Sequence, residues 1–185
     1  MRIISGESKG RRLAYFRGQK IRPTSDKIKG AIFNILGLEF EDKEVLDLFA
    51  GTGALGIEAL SRGAKKVVFV ENNLYALEIL NENLTRCRYG NKARVIKTSV
   101  ERGVKLLKRK GGQFDYIFID PPYEKGMVEK ILHVLSQGEI LKEDGVITVE
   151  HSGQELPGEN YGSLSLRDQR KYGRTYVSFF KYGVS

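Results

Sequence analysis

Cysteine is almost missing from this chain of 185 residues: Cys87 stands alone, so no intramolecular disulfide can form, which fits a reducing compartment. A lone cysteine is more often a small core hydrophobe than a nucleophile. Histidine is nearly as scarce. His133 and His151 add little to Cys87 as a ligand set, and no metal site is expected. No apolar run approaches the roughly 20 residues that a membrane-spanning helix needs. The opening Met1-Arg2-Ile3-Ile4-Ser5-Gly6 is followed by basic residues without the apolar segment of a secretory signal. A cytoplasmic location away from membranes is the expectation.

Acidic residues are in deficit as well, 23 against 31 lysines and arginines, for a net charge of +8. One reading is a polyanionic partner, because each phosphate contact releases condensed counterions; the other is a generally basic, solvated surface. Distribution favours the partner. Lys9, Arg11, Arg12, Arg17, Lys20 and Arg22 crowd the start with Tyr15 and Phe16 among them, and Arg167, Arg170, Lys171 and Arg174 cluster near the end.

What is present describes an ordinary globular domain, 41% hydrophobic and 29% charged. A chain of this length buries roughly two-thirds of its unfolded surface. Residues 1–22 read as a basic strand-and-turn extension, a small N-terminal β-hairpin, ahead of a single domain over residues 23–185. Pro23-Thr24-Ser25-Asp26 opens a helix in which Ile28, Ala31, Ile32, Ile35 and Leu36 recur at helical spacing before Gly37 stops it. Strands are then expected at residues 45–49, 66–71, 94–97, 116–119 and 145–150, with helices at 54–62, 74–86, 100–108 and 128–135 between them. Near-continuous apolar strands alternating with helices predict a parallel sheet covered on both faces. Two further strands, at 164–167 and 175–180, follow without a helix and predict a closing antiparallel hairpin. The fold class is α/β: a Rossmann-like, doubly wound seven-stranded sheet, mostly parallel.

Between the first strand and helix of that run, Gly51-Thr52-Gly53-Ala54-Leu55-Gly56 is a literal G-x-G-x-x-G, with Glu71 closing the next strand about 20 residues on. Such glycines permit a tight turn and let a ligand approach the backbone, while the acid accepts hydrogen bonds from ribose hydroxyls. A dinucleotide and S-adenosylmethionine both fit this frame. Asp47 favours the second, because a carboxylate there faces a ligand's amino group and repels a pyrophosphate; its bland alternative is an acid that braces a helix or loop. Asp120-Pro121-Pro122-Tyr123 follows the fourth strand, at the sheet edge where doubly wound folds bind ligands. Two prolines stiffen the backbone and remove two N–H donors. They leave the Asp120 carboxylate and Pro121 carbonyl as acceptors for the two hydrogens of a planar amine, and Tyr123 can stack on a base. A proline-stiffened turn with an incidental tyrosine is the alternative.

Asp47-Leu48-Phe49-Ala50-Gly51-Thr52-Gly53, Glu71 and the Asp-Pro-Pro-Tyr segment together resemble class I methyltransferases that act on exocyclic amines. The narrower set is Arg2 to Gly6, Arg22 to Asp26, Phe33-Asn34-Ile35-Leu36 and Arg170-Lys171-Tyr172-Gly173-Arg174-Thr175. It resembles the bacterial 16S rRNA (guanine-N2)-methyltransferase family over almost the whole chain. The resemblance implies a cytoplasmic rRNA-processing enzyme that uses S-adenosyl-L-methionine and acts on 16S rRNA, in a small-subunit assembly intermediate. Carried over by position, Asp47, Gly51, Thr52 and Gly53 would hold the methionine part, Glu71 the ribose, and Asn72, Ser99 and Val100 the adenine side. Arg22 and Thr24 would cover the cofactor, and Asp120, Pro121 and Tyr123 would hold the guanine. Ser99 stands where the family commonly has an acid, and Gly30 where its first helix usually has one. Three other readings stay open: methylation of adenine N6 in DNA or of another amine such as a protein glutamine, an RNA-binding module without catalysis, and a nicotinamide-dependent oxidoreductase.

Overall fold

The computed structural model describes residues 1–15, 25–37, 40–122, 126–137 and 139–183. The expected sites at Arg22, Thr24 and Tyr123 lie outside them. Along the chain run α1 (Asp26–Leu36), β1 (Glu44–Leu48), α2 (Ala54–Ser61), β2 (Lys66–Glu71), α3 (Leu74–Cys87), β3 (Ala93–Lys97) and α4 (Val100–Arg109). Then come β4 (Phe114–Ile119), α5 (Met127–Ser136), β5 (Leu141–Ser152), β6 (Asn160–Tyr161), β7 (Leu164–Tyr172) and β8 (Thr175–Tyr182).

All the strands share one sheet in the order β3-β2-β1-β4-β5-β8-β7-β6. The first five are parallel to one another, and β8, β7 and β6 close the sheet antiparallel. The seven expected strands are present, and the two-residue β6 adds an eighth at the edge. The chain reverses its winding direction between β1 and β4. A doubly wound sheet opens a crevice at the carboxyl ends of the two strands flanking such a point.

Two apolar layers sandwich the sheet. Ile28, Ile32 and Phe33 of α1, Ile57 and Leu60 of α2 and Leu80 of α3 pack on one face with Val45, Phe69 and Phe118. Val104 and Leu107 of α4 and Ile131, Leu132 and Leu135 of α5 pack on the other with Leu46, Val70, Ile117 and Ile147. Helix starts follow local chemistry. The side chains of Ser25, Asn73 and Ser99 accept hydrogen bonds from Ile28, Ala76 and Arg102 N–H, capping α1, α3 and α4.

The beginning of the chain, over the described residues 1–15, turns back on itself in a tight loop. A single bridge pairs Arg2 with Arg12, and the stretch closes on itself through Ile3 N–H to Arg11 carbonyl at 3.0 Å and Gly10 N–H to Ile3 carbonyl at 2.9 Å. Ile3 and Leu13 enter the α1–α3 layer. Gly6 has φ +81, and a Cβ there would lie 1.7 Å from the Ser61 carbonyl oxygen, so this contact with the end of α2 needs glycine.

Candidate cofactor and substrate site

The glycine loop is built to turn sharply and stay put. Phe49 (φ 60), Gly51 (φ 54) and Gly53 (φ 86) all take left-handed backbone, which is uncommon for a bulky residue such as Phe49 and is found where surrounding structure enforces it. Ala50 N–H bonds Val70 carbonyl at 3.1 Å, and Gly53 N–H bonds Ala50 carbonyl at 2.7 Å. Glu71 clamps the other side. One of its oxygens accepts from Gly51 N–H at 2.7 Å, and the second accepts from Asn72 and Asn73 N–H at 2.8 Å each. Carboxylate oxygens carry two lone pairs apiece, so the first oxygen keeps capacity for a ribose hydroxyl.

Gly56 holds α2 against the sheet. A Cβ there would lie 2.3 Å from Phe69 Cε1 and 2.9 Å from Asp47 Oδ2. Gly56→Ala is therefore expected to cost about 1–3 kcal/mol by overpacking and to displace Asp47. Thermal melting and cofactor titration of the variant read the two effects separately.

Asp47, fully buried in β1, spends Oδ2 on Gly56 N–H at 2.9 Å. It braces the start of α2, as the bland reading of this acid anticipates, while still lying at the crevice. Burial raises its pKa to about 7; the Gly56 hydrogen bond opposes the rise, and the negative charges of Asp120 and Glu71 add to it. Such a group ionises readily once a cation arrives. In the unfolded chain Asp47 loses its proton near pH 4, so its contribution to stability is complete below that and is lost as pH rises through about 7. Binding of an ammonium group reverses the preference. Affinity for a cationic ligand is thus expected to rise between pH 6 and 8, and Asp47→Asn to flatten that dependence while raising the ligand-free melting temperature above pH 7. Titration calorimetry and melting across that range check both.

Asp120 directly follows β4 beside the same crevice, with Pro121 buried and Pro122 exposed. β1 and β4 pair with Asp47 opposite Phe118, so Asp120 and Asp47, the two acids that the sequence assigns to substrate and cofactor, share one edge of adjacent strands. Ser99 is the N-cap of α4, accepting from Arg102 N–H at 3.5 Å, and Val100 is buried at the start of α4. Asn72 is exposed next to Glu71. Thr52 is buried in the loop, and its carbonyl accepts from Asn83 Nδ2 at 2.9 Å.

Asn83 is a residue that sequence reasoning misses. Fully buried in α3, it also bonds Ala14 in both directions, at 2.7 and 3.0 Å, and so ties the glycine loop to the basic N-terminal segment. A buried asparagine inside a helical apolar pattern is the signal that could have found it. The donor set fits a cationic nucleoside: three carboxylates, glycine backbone and an opening at Gly51, where a Cβ would meet nothing closer than 3.9 Å.

Comparison with known proteins identifies the family. The profile of the family described as Conserved hypothetical protein 95 matches residues 1–181. The Bacillus subtilis (strain 168) protein YlbH is 40% identical over 182 residues, covering 98% of both chains. Ribosomal RNA small subunit methyltransferase D of Escherichia coli (strain K12) is 35% identical over 150 residues, covering 81% of this chain and 74% of that one. The solved structure of Escherichia coli yhhF superposes with a TM-score of 0.85 at 31% identity, covering 98% and 97% of the two chains. The chain belongs to the Conserved hypothetical protein 95 family, the class I methyltransferases that include small-subunit methyltransferase D.

Proposed function

We propose that the chain is an S-adenosylmethionine-dependent methyltransferase of small-subunit rRNA that modifies the exocyclic N2 amine of a guanine in 16S rRNA. The observation that carries the reading is the pairing of β1 with β4, Asp47↔Phe118 and Leu48↔Ile119, which puts Asp120 and Asp47 at the same carboxyl edge of adjacent strands. The name of the Escherichia coli relative supports the rRNA substrate.

The residues present suit the cofactor. Asp47 would hold its amino group, the 51–53 backbone its methionine part, Glu71 its ribose, and Asn72, Ser99 and Val100 its adenine side. When bound, S-adenosylmethionine supplies an electrophilic methyl group. Asp120 and the Pro121 carbonyl accept the two N2 hydrogens, which directs the amine lone pair away from the ring, and Asp120 takes the proton released after transfer. By the family resemblance, Tyr123 would stack on the flipped base and Arg22 and Thr24 would cover the cofactor. The protein contributes positioning and electrostatics, with no covalent intermediate on the chain. Extracting a base from its stack costs a few kcal/mol, and the basic segment before residue 23 offsets this by gripping the RNA backbone.

The test is nucleoside analysis of 16S rRNA from a strain lacking the protein, before and after adding it back with labelled cofactor. Label in N2-methylguanosine is expected. Label in N6-methyladenine or in glutamine would move the substrate to DNA or protein, and RNA binding without label would leave a binding module. Binding of a nicotinamide cofactor instead would reassign the glycine loop.

A further inference from the structure

A groove of about 740 Å³ runs along α4 beside β3, the outermost strand at one end of the sheet. Its lining is Ile96, Lys97, Thr98 and the α4 residues Arg102, Lys105, Leu106, Lys108 and Arg109, so it holds five cations and no acid. We propose that this groove is a second docking surface for the phosphodiester backbone of the substrate rRNA, separate from the base pocket.

Three observations support a polyanion here. First, Arg102, Lys105 and Arg109 are spaced three and four apart, so they form one exposed stripe on the helix. Like charges at that spacing destabilise a helix, so the stripe adds nothing to the fold. Second, no acid neutralises it. Glu101, the one acid of α4, is held by Lys130 of α5 at 2.6 Å, and among the described residues no ion pair involves Lys97, Arg102, Lys105 or Arg109. Third, the opposite side of α4 is pressed on the sheet. A Cβ on Gly103 would lie 2.8 Å from Val70 Cγ1, so Arg102, Lys105 and Arg109 point away from the sheet and are exposed, while Lys108 bonds the Gln137 carbonyl at 2.8 Å.

Protection of an edge strand against pairing accounts for Lys97 but not for cations on a helix. Arg102 to Arg109 spans about 10 Å of helix axis, longer than a single small anion and suited to successive phosphates. Ile96 and Leu106, both half-buried, give the floor an apolar surface for a ribose or base. Its lining reaches Thr98, just past the carboxyl end of β3. Three strand spacings separate β3 from β4, about 14 Å at about 4.8 Å each, so one RNA strand can occupy the groove while its target base reaches Asp120.

The inference rests on the rRNA reading above, and its test keeps the two apart. The triple variant Arg102→Ala/Lys105→Ala/Arg109→Ala changes only exposed side chains, and its melting temperature and cofactor affinity serve as controls for folding. Binding of a labelled 16S rRNA fragment, followed by fluorescence anisotropy against salt, is expected to weaken by ten- to a hundredfold in low salt. The salt slope is expected to fall by roughly 2, about 0.7 for each single-strand phosphate that the variant no longer neutralises. In methylation assays KM for RNA rises with kcat retained. Affinity and slope equal to wild type would overturn the groove while leaving the methyltransferase reading intact. A wild type that binds RNA but transfers no methyl group would sink that reading, and anisotropy would still decide the groove. Loss of binding to anionic vesicles without change in RNA binding would assign the stripe to a membrane and overturn the proposal.

Discussion

Alanine in place of Asp120 is expected to lower methyl transfer to rRNA by roughly 10²–10⁴-fold, the range for losing a positioned acid–base group or a charge-stabilising contact. That range is about 2.7–5.5 kcal/mol of barrier. Most of the loss falls on kcat, since the carboxylate matters most when the amine lone pair is being turned toward the methyl group. A second signature separates this role from general damage. Asp120 is one of the two charges that hold the Asp47 pKa up, so its removal lets Asp47 ionise at lower pH, and the rise of cofactor affinity shifts the same way. Asp120→Asn retains one acceptor oxygen but turns an NH2 group toward the substrate amine, so it is expected to rescue little turnover. Near-normal kcat in Asp120→Ala with unaltered cofactor binding would remove Asp120 from the chemistry and, with it, the proposed amine grip.

The site is legible in the sequence because its parts are local. The strand ending in Asp47, the glycine turn, Glu71 closing β2 and the prolines after β4 are each contiguous patterns, and alternation of strand and helix fixes which sheet edge they share. What escapes the sequence depends on distant partners. Patterning starts β5 at Gly145, because Lys142, Glu143 and Asp144 look like loop; in the fold the strand starts at Leu141, with a register shift against β4 between Phe114 and Tyr116. Patterning also stops β7 at Arg167, since its continuation through Lys171 is polar. The strand instead pairs with β8 up to Tyr172↔Thr175 across a turn at Gly173 (φ 66), and an outlying hairpin needs no apolar pattern to register. Asn83 and Glu58 escape for the same reason. Each is a polar residue in an apolar helix whose purpose lies more than 50 residues away in the N-terminal loop.

Glu58 carries the largest stability effect. Its side chain is fully buried in α2, where it meets Lys29 Nζ at 3.4 Å, likewise fully buried, and Arg62 Nε at 3.0 Å. It also accepts from the N–H groups of Ile4 at 2.8 Å and Ser5 at 3.0 Å. Burial lowers the pKa of Lys29 against the pull of Glu58 and, more weakly, of Asp26, so the lysine cation depends chiefly on the Glu58 carboxylate. Glu58→Ala strands that cation and two backbone donors together, and the expected cost is about 3–5 kcal/mol. At about 2–4 °C per kcal/mol for a chain of this size, melting falls by roughly 6–20 °C. The companion Glu58→Leu/Lys29→Met removes the Lys29–Glu58 pair but leaves the nearly buried Arg62 and the N–H groups of Ile4 and Ser5 without their acceptor, so it is expected to recover only part of that loss. The difference in melting between the double variant and Glu58→Ala reads how much of the cost comes from the stranded Lys29 charge. Melting of Glu58→Ala within about 2 °C of wild type, under 1 kcal/mol on the same scale, would mean that the network tying the basic segment to α2 contributes nothing.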